Sequence, residues 1–116
     1  MEASVRLFSY GTLQLPEVQI ANYGRWLDGE PDALIGYRLV SLEIDDPDVV
    51  RISGKAVHSI ACASGDPDDR VAGTAYLLTD AELEATDAYE TDAYIRAEAT
   101  LESGRTALVY VGSPLD

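Results

Sequence analysis

Residues 71–90 have the sequence VAGTAYLLTDAELEATDAYE, and this stretch decides the fold class. Residues 71–78 form an apolar run with the length and composition of a strand. Thr79 then stands three residues before Glu82, which is the spacing of a capping box, so a helix is predicted to begin here and to end near Tyr89. A strand followed at once by a short capped helix is typical of a domain that mixes both elements.

Most of the remaining chain has the pattern of strands. We predict them over residues 5–10, 34–42, 55–62, 95–101 and 107–111, with turn-rich breaks at 45–48, 64–69 and 102–105. A second helix is predicted from Pro16, a residue that suits the first helical turn, to about Trp26, whose ring is predicted to pack against the sheet. We therefore predict one α+β domain over residues 1–116, with a small mixed, barrel-like sheet and few short helices.

The charge balance limits the possible partners. The chain has 21 acidic and 8 basic residues and a formal net charge of -13. Such a surface repels phosphate backbones and anionic lipids, so neither a nucleic-acid nor a membrane partner is predicted. The N-terminal residues lack the pattern of a signal peptide and no run approaches a membrane span, so we expect a cytoplasmic protein.

Metal and redox chemistry find little support in the composition. One cysteine and one histidine exclude sites rich in thiolate or imidazole, and a single cysteine forms no internal disulfide. A carboxylate-only magnesium or calcium site stays open, although the acidic clusters lack the spacing of a calcium loop. We predict no metal and no cofactor.

The helix predicted to begin after Thr79 breaks its own apolar pattern. Leu83 is its large apolar residue, and helical spacing places Asp87 and Glu90 on the same stripe. A carboxylate that points toward a core costs free energy unless it is solvated or protonated. Two interpretations stay open: a polar pocket at the end of this helix, or carboxylates that only cap a turn or lie in water. The helix could also end at Tyr89, which would leave Glu90 outside the stripe.

Two separated motifs add a resemblance to a known family. Residues 10–13 have the sequence YGTL at the end of the first strand, and residues 87–90 have the sequence DAYE, followed by Tyr94 and Arg96 as Y-x-R. The segments GYRL and VAGTAY lie between the two motifs. This order resembles the gamma-glutamylcyclotransferase-like family, including its plant avirulence-induced members and the gamma-glutamylamine cyclotransferases, over almost the whole chain.

The resemblance implies an activity and a set of site residues. Members release 5-oxoproline from gamma-glutamyl compounds, so the implied partner is a small gamma-glutamyl substrate. The glutamate of the second motif is their acid/base, which implicates Glu90. The substrate-binding residues implied here are Tyr10, Gly11, Thr12, Leu13 and Tyr94. The chain departs from the usual pattern with Thr91 in place of a glycine and with a threonine in the first motif where many members have serine.

The chemistry of Glu90 fits such a role only if its surroundings change its pKa. An unperturbed glutamate has a pKa near ~4.3, too low for an acid that must donate a proton at neutral pH. Partial burial among Leu83, Tyr89 and Tyr94 would raise it. Two alternatives stay open: a small-molecule binding module without catalysis on the same scaffold, and a hydrolase that activates water at Glu90.

Other polar residues have simpler interpretations. His58 and Cys62 lie four apart in a predicted strand, about 13 Å along the chain, which is too far for a nucleophile pair. Cys62 is predicted to be a small core residue and His58 a pocket-lining or structural one. Arg96 is predicted to pair with Asp87 or Asp92, and Tyr110 to pack in the core.

Overall fold

The computed structural model describes residues 4–43, 57–90 and 94–112, and the side chains of residues 41–43, 57 and 58 are outside this description. The predicted break at 45–48 and the start of the strand predicted over 55–62 therefore lie outside the described residues. In chain order the elements are β1 (Val5–Ser9), a 3₁₀ turn (Thr12–Gln14), α1 (Pro16–Tyr23), β2 (Gly29–Ile35), β3 (Tyr37–Glu43), β4 (Val57–Ala63), β5 (Arg70–Leu78), α2 (Asp80–Tyr89), β6 (Ile95–Thr100) and β7 (Thr106–Val111). Neither α-helix in these ranges is long and apolar enough to span a bilayer.

The strands form two sheets. The larger sheet has the order β2-β5-β1-β7-β6, in which only the β1–β7 pair is parallel, and β3 pairs with β4 in a separate two-stranded sheet. The edge strands β2 and β6 approach each other at a bridge between Leu34 and Leu101. The predicted α+β class is confirmed, and within the described ranges the mixed sheet curls without closing into a barrel.

Both faces of the large sheet are covered, because successive side chains of a strand point to opposite faces. Phe8 of β1 packs with Ala61 of β4 in a core between the two sheets. Its neighbour Leu7 packs on the other face with Leu13 and with Val18 of α1. The site described below lies on the helix side, where the loop after β1 passes the end of α2.

The strand predicted over residues 34–42 is two strands of different sheets. Gly36 has φ +81°, a backbone conformation that favours glycine, and there the chain leaves β2 and enters β3. The prediction also missed residues 29–33 of β2. This segment is polar and contains Pro31, a composition that argues against a strand, but an edge strand tolerates proline because one side of it makes no ladder.

The first helix is shorter than predicted. Pro16 begins α1, as expected, but the helix ends at Tyr23 and Gly24 follows with φ +69°. The prediction that Trp26 packs against the sheet is wrong, because its side chain is 70% exposed. Leu27 is buried instead, and its N–H donates to the buried side chain of Gln19 at 2.9 Å.

The capping box at the start of α2 is confirmed. The N–H of Glu82 donates to Thr79 Oγ1 at 3.2 Å, and Glu82 Oε1 accepts from the N–H of Thr79 at 2.9 Å. The same carboxylate makes a two-pronged ion pair with Arg25, at 2.7 and 2.8 Å. These hydrogen bonds lower the pKa of Glu82 to about 2, with the Arg25 contact as the largest cause.

Replacement of Arg25 by alanine is expected to lower the free energy of unfolding by about 1–2 kcal/mol at pH 7. Because the folded-state pKa of Glu82 is depressed, the pair stabilises the protein above pH 4.5, and this contribution is lost as the pH falls toward 2. Urea unfolding of both proteins between pH 7 and pH 3 measures the difference. Arg38→Ala, which breaks a more exposed pair with Asp69, is the control and should cost less than about 0.5 kcal/mol.

Candidate active site

The loop after β1 has backbone donors without a partner among the described residues. The N–H of Gly11 approaches Ser9 Oγ at 3.4 Å, and the 3₁₀ turn that follows has Gln14 and Leu15 donating back to Gly11 and Thr12. The first N–H groups of such a turn have no partner within it. Among the described residues, no hydrogen bond uses the N–H of Thr12 or Leu13. These two N–H groups can therefore donate to an anionic or carbonyl oxygen of a ligand.

Gly11 itself leaves open space beside these donors. Its φ is -126°, outside the left-handed region that favours glycine. Apart from Gly11 and its two chain neighbours, no heavy atom of the described residues lies within 4 Å of the position that a Cβ would take there. The absence of a side chain thus keeps the surface above the loop clear.

Tyr10 fastens the loop to both sheets. Its hydroxyl donates to the carbonyl of Tyr110 on β7 at 2.6 Å and accepts from the N–H of Ala61 on β4 at 3.0 Å. Burial is the largest cause that raises its pKa, and the charge of Glu90 raises it further. The hydroxyl of this motif residue is thus occupied by main-chain groups, which leaves its ring and backbone for any contact with a ligand.

The side chains of Leu13 and Thr12 contact other parts of the protein. The Leu13 side chain is 3% exposed in the helix-side core, and its carbonyl accepts from Gln19 Nε2 at 2.9 Å. Thr12 Oγ1 lies 2.5 Å from the hydroxyl of Tyr89, the last residue of α2. This hydrogen bond joins the loop after β1 to the helix end that precedes Glu90.

Glu90 is the first residue after α2. Its N–H still donates to the carbonyl of Thr86 at 3.0 Å, but its backbone is extended, at φ -72° and ψ 143°. The alternative in which the helix ends at Tyr89 is therefore the observed one. The carboxylate is largely buried, and burial raises its pKa from 4.5 to about 7. At neutral pH this group can both accept and donate a proton.

The predicted carboxylate stripe on α2 is wrong in its details. Thr86 is the residue of this helix that is fully buried, whereas Leu83 is only half-buried and Asp87 is exposed. Thr86 Oγ1 donates to the carbonyl of Glu82 and lies 2.6 Å from the hydroxyl of Tyr23 on α1. Glu90 is partly buried although its own backbone has already left the helical conformation, so helical periodicity does not direct its side chain there.

Tyrosines from four parts of the chain lie near enough to Glu90 for its charge to raise their pKa values. Burial is the first cause that raises the pKa of each, and the negative charge of Glu90 adds to the increase in every case. They are Tyr10, Tyr23, Tyr89 and Tyr94. Tyr94 is half-buried with a pKa of about 12, and its hydroxyl donates to the carbonyl of Ser59 at 3.4 Å. No sequence motif identifies Tyr23 as a neighbour of Glu90, because only the fold brings α1 to this place.

Asp87 connects the end of α2 to the last two strands. Its Oδ2 accepts from Arg96 Nη1 at 2.6 Å, which confirms the predicted pair of Arg96 with Asp87. Its Oδ1 accepts from the hydroxyl of Tyr110. Tyr110 is only 8% exposed and belongs to the helix-side core, as predicted.

Two further candidates lie on β4. Cys62 is buried in β4 beside Gly112, as predicted for a small core residue. His58 lies in the same strand, but its side chain is outside the described part of the structure. Over residues 4–43, 57–90 and 94–112, no three histidine, cysteine or acidic side chains come together as metal ligands.

Fold and site together define an α+β domain in which one largely buried carboxylate lies beside a loop of free backbone donors. The chain belongs to the gamma-glutamyl cyclotransferase, AIG2-like family, whose sequence model matches residues 7–115. This match confirms the resemblance inferred from the YGTL and DAYE motifs. No curated protein matches the sequence significantly.

Solved structures share the fold at low sequence identity. The solution structure of At3g28950.1 from Arabidopsis thaliana has a TM-score of 0.72 and 21% identity, and the match covers 97% of this chain and 66% of that one. A structure described as gamma-glutamyl cyclotransferase has a TM-score of 0.71 and 15% identity over 97% of this chain and 68% of that one. The uncharacterized Homo sapiens protein loc79017 has a TM-score of 0.71 and 18% identity over 99% and 70%. The chain thus spans just under two thirds of the first of these relatives and slightly more of the others.

Proposed function

We propose that this protein is a cyclotransferase that releases 5-oxoproline from a gamma-glutamyl amine or amino acid, with Glu90 as the general acid and base. The observation that supports this most strongly is the position of Glu90. Its carboxylate is largely buried, has a pKa of about 7 and follows Tyr89, whose hydroxyl is hydrogen-bonded to Thr12 of the loop with unpartnered donors. Family membership supports the reaction class.

The reaction needs one group that moves protons in both directions. The substrate's α-ammonium must lose a proton before its nitrogen can attack the γ-carbonyl carbon. A nitrogen–carbon bond then closes the five-membered ring, and the bond from that carbon to the leaving nitrogen breaks. Over the whole reaction two protons move from the attacking nitrogen to the leaving one, so the products are the lactam and a free ammonium. Glu90 accepts protons from the first nitrogen and returns them to the second.

The loop after β1 supplies the complementary half of the proposed site. The N–H groups of Thr12 and Leu13 are placed to stabilise either the negative charge that develops on the γ-carbonyl oxygen or the α-carboxylate of the substrate. Gly11 leaves the space that the gamma-glutamyl chain requires. Tyr10 and the Thr12–Tyr89 hydrogen bond hold this loop beside Glu90.

Incubation with a gamma-glutamyl dipeptide and with gamma-glutamyl-lysine, followed by mass spectrometry, tests the proposal. We expect 5-oxoproline in equimolar amount with the released amine. Free glutamate would instead indicate a hydrolase that activates water at Glu90. Binding of both compounds without any product would indicate a binding module and would contradict the proposal.

The pH dependence of kcat/KM provides an independent prediction for an active protein. Because protonated Glu90 cannot accept a proton, kcat/KM should fall as the pH drops below about 7, with an acid limb whose midpoint reports the free enzyme. The four neighbouring tyrosines have pKa values raised above 10, so none of them ionises in this range. Initial rates between pH 5 and pH 9 give the midpoint, and an acid limb near pH 4.5 would contradict the assignment.

A further inference from the structure

Asp87, the first residue of the DAYE motif, has no role in the proposed reaction. It lies in the last turn of α2, three residues before Glu90, and its side chain is 44% exposed. Both of its carboxylate oxygens are nevertheless bound. One accepts from the hydroxyl of Tyr110 on β7, and the other accepts from Arg96 on β6 at 2.6 Å.

These contacts fix the chain on both sides of Glu90. Asp87 belongs to the helix that precedes Glu90, and Arg96 belongs to the strand that follows it. Tyr110 anchors the Asp87–Arg96 pair because its ring is buried in the helix-side core. Its carbonyl also accepts the hydrogen bond from the hydroxyl of Tyr10. The end of α2, the start of β6 and the loop after β1 are thus tied to the same residue of β7.

We propose that Asp87 is a positioning residue that, through Arg96 and Tyr110, holds the segment carrying Glu90 against the sheet and keeps its carboxylate in its buried place. The expected effect on catalysis rests on the proposed function. The expected effect on the position of Glu90 does not depend on it. Release of this segment admits water to the carboxylate, which changes both its reactivity and its titration.

Positioning and simple electrostatics predict opposite results for one variant. Removal of the positive charge of Arg96 would, by charge alone, make Glu90 harder to ionise and raise its pKa. Loss of the Asp87–Arg96 ion pair would instead let water reach Glu90 and lower its pKa toward the ordinary 4.5. Within residues 4–43, 57–90 and 94–112, the titratable groups whose pKa responds to the charge of Glu90 are the tyrosines of the β1 loop, of α1, of the end of α2 and of the residue before β6, and all are neutral near pH 7. They therefore do not obscure the titration.

The experiment compares Asp87→Ala, Asp87→Asn, Arg96→Ala and Arg96→Lys with the unmodified protein. Glu84→Ala, on the exposed side of the same helix, is the matched control. The titration of Glu90 is followed by NMR with ¹³C-labelled glutamate carboxyls and assigned with Glu90→Gln, and kcat and KM are measured for release of 5-oxoproline.

In both alanine variants we expect the midpoint of Glu90 to fall by about one pH unit or more, and kcat to fall by about tenfold to a hundredfold. KM should change by less than about threefold, because the loop after β1 keeps its own anchor at Tyr10. Arg96→Lys and Asp87→Asn should restore part of kcat, and Glu84→Ala should leave both quantities unchanged.

An unchanged or raised midpoint in Arg96→Ala would overturn the proposal, as would a loss of kcat in Asp87→Ala without any change in titration. Should Asp87→Ala not fold, Asp87→Asn and Arg96→Ala supply the same comparison. If the unmodified protein forms no 5-oxoproline, the proposed function fails, and the midpoints alone decide whether Asp87 positions Glu90.

Discussion

Glu90→Gln is expected to reduce kcat by about 10²- to 10⁴-fold, the range that a positioned acid/base contributes to a reaction. Glutamine keeps the size and polarity of the side chain but can neither accept nor return the proton. KM should change little, because the N–H groups that hold the substrate belong to the loop after β1. The measurement is the rate of 5-oxoproline release at pH 7.5 by purified proteins with matching circular dichroism spectra.

The same substitution is expected to stabilise the fold at alkaline pH. Since burial raises the folded-state pKa of Glu90 from 4.5 to about 7, the folded state binds more protons than the unfolded state between these values. Stability of the unmodified protein therefore falls as the pH rises through this window. Glutamine carries no such charge, so Glu90→Gln should gain about 1–3 kcal/mol above pH 7 and nothing at pH 4.

Urea unfolding of the two proteins at pH 4 and pH 8 measures this difference. A protein that loses activity and gains stability only at the higher pH has a buried, ionisable catalytic group. Full activity in Glu90→Gln, or equal stability of both proteins at pH 8, would contradict the assignment.

Gly11→Val is expected to raise KM by about tenfold to a hundredfold, equivalent to roughly 1.4–2.8 kcal/mol of lost binding. The φ of this position is negative, and no described atom beyond Gly11 and its two chain neighbours lies within 4 Å of the place of its Cβ, so the protein should still fold. The methyl groups instead fill the space over the N–H groups of Thr12 and Leu13. Steady-state kinetics with gamma-glutamyl substrates give KM, and thermal unfolding checks the fold.

Gly11→Ala is the matched control for this effect, because it adds one carbon where valine adds three. Its KM should lie between the values of the unmodified protein and of Gly11→Val. A KM unchanged in both variants would mean that substrate does not approach the loop at Gly11. A large loss of thermal stability would show that the glycine is needed for the fold rather than for the ligand.

The fold was predictable where local sequence signals agree. The β5 strand and the capping box at Thr79 and Glu82 depend on neighbours within a few residues, and both were found. The first residues of β2 were missed because only pairing with β5 makes a strand of a polar segment with Pro31. The exposure of Trp26 likewise depends on where α1 ends, which Gly24 decides.

The residues of the proposed site were chosen from sequence motifs, whereas the contacts that join them follow only from the fold. The motifs identified Glu90, Gly11 and Thr12, and the expected pairing of Arg96 with Asp87 is present. The bond between Thr12 and Tyr89 joins residues 77 apart, and the bond between Tyr10 and Tyr110 joins residues 100 apart. No local pattern specifies such contacts, because they follow from how the strands are ordered in the sheet. The predicted helical stripe was wrong because the helix ends at Tyr89, one residue before Glu90.

A crystal structure of Glu90→Gln with an intact gamma-glutamyl substrate tests the central claim most directly, since this variant should bind the substrate without converting it. We predict that the gamma-glutamyl group lies between Gly11 and residue 90. One of its oxygens should accept from the N–H of Thr12 or Leu13, and its α-amino nitrogen should lie within about 3.2 Å of the side chain of residue 90. Substrate bound elsewhere on the protein, or a side chain at position 90 that points into bulk water, would contradict the account.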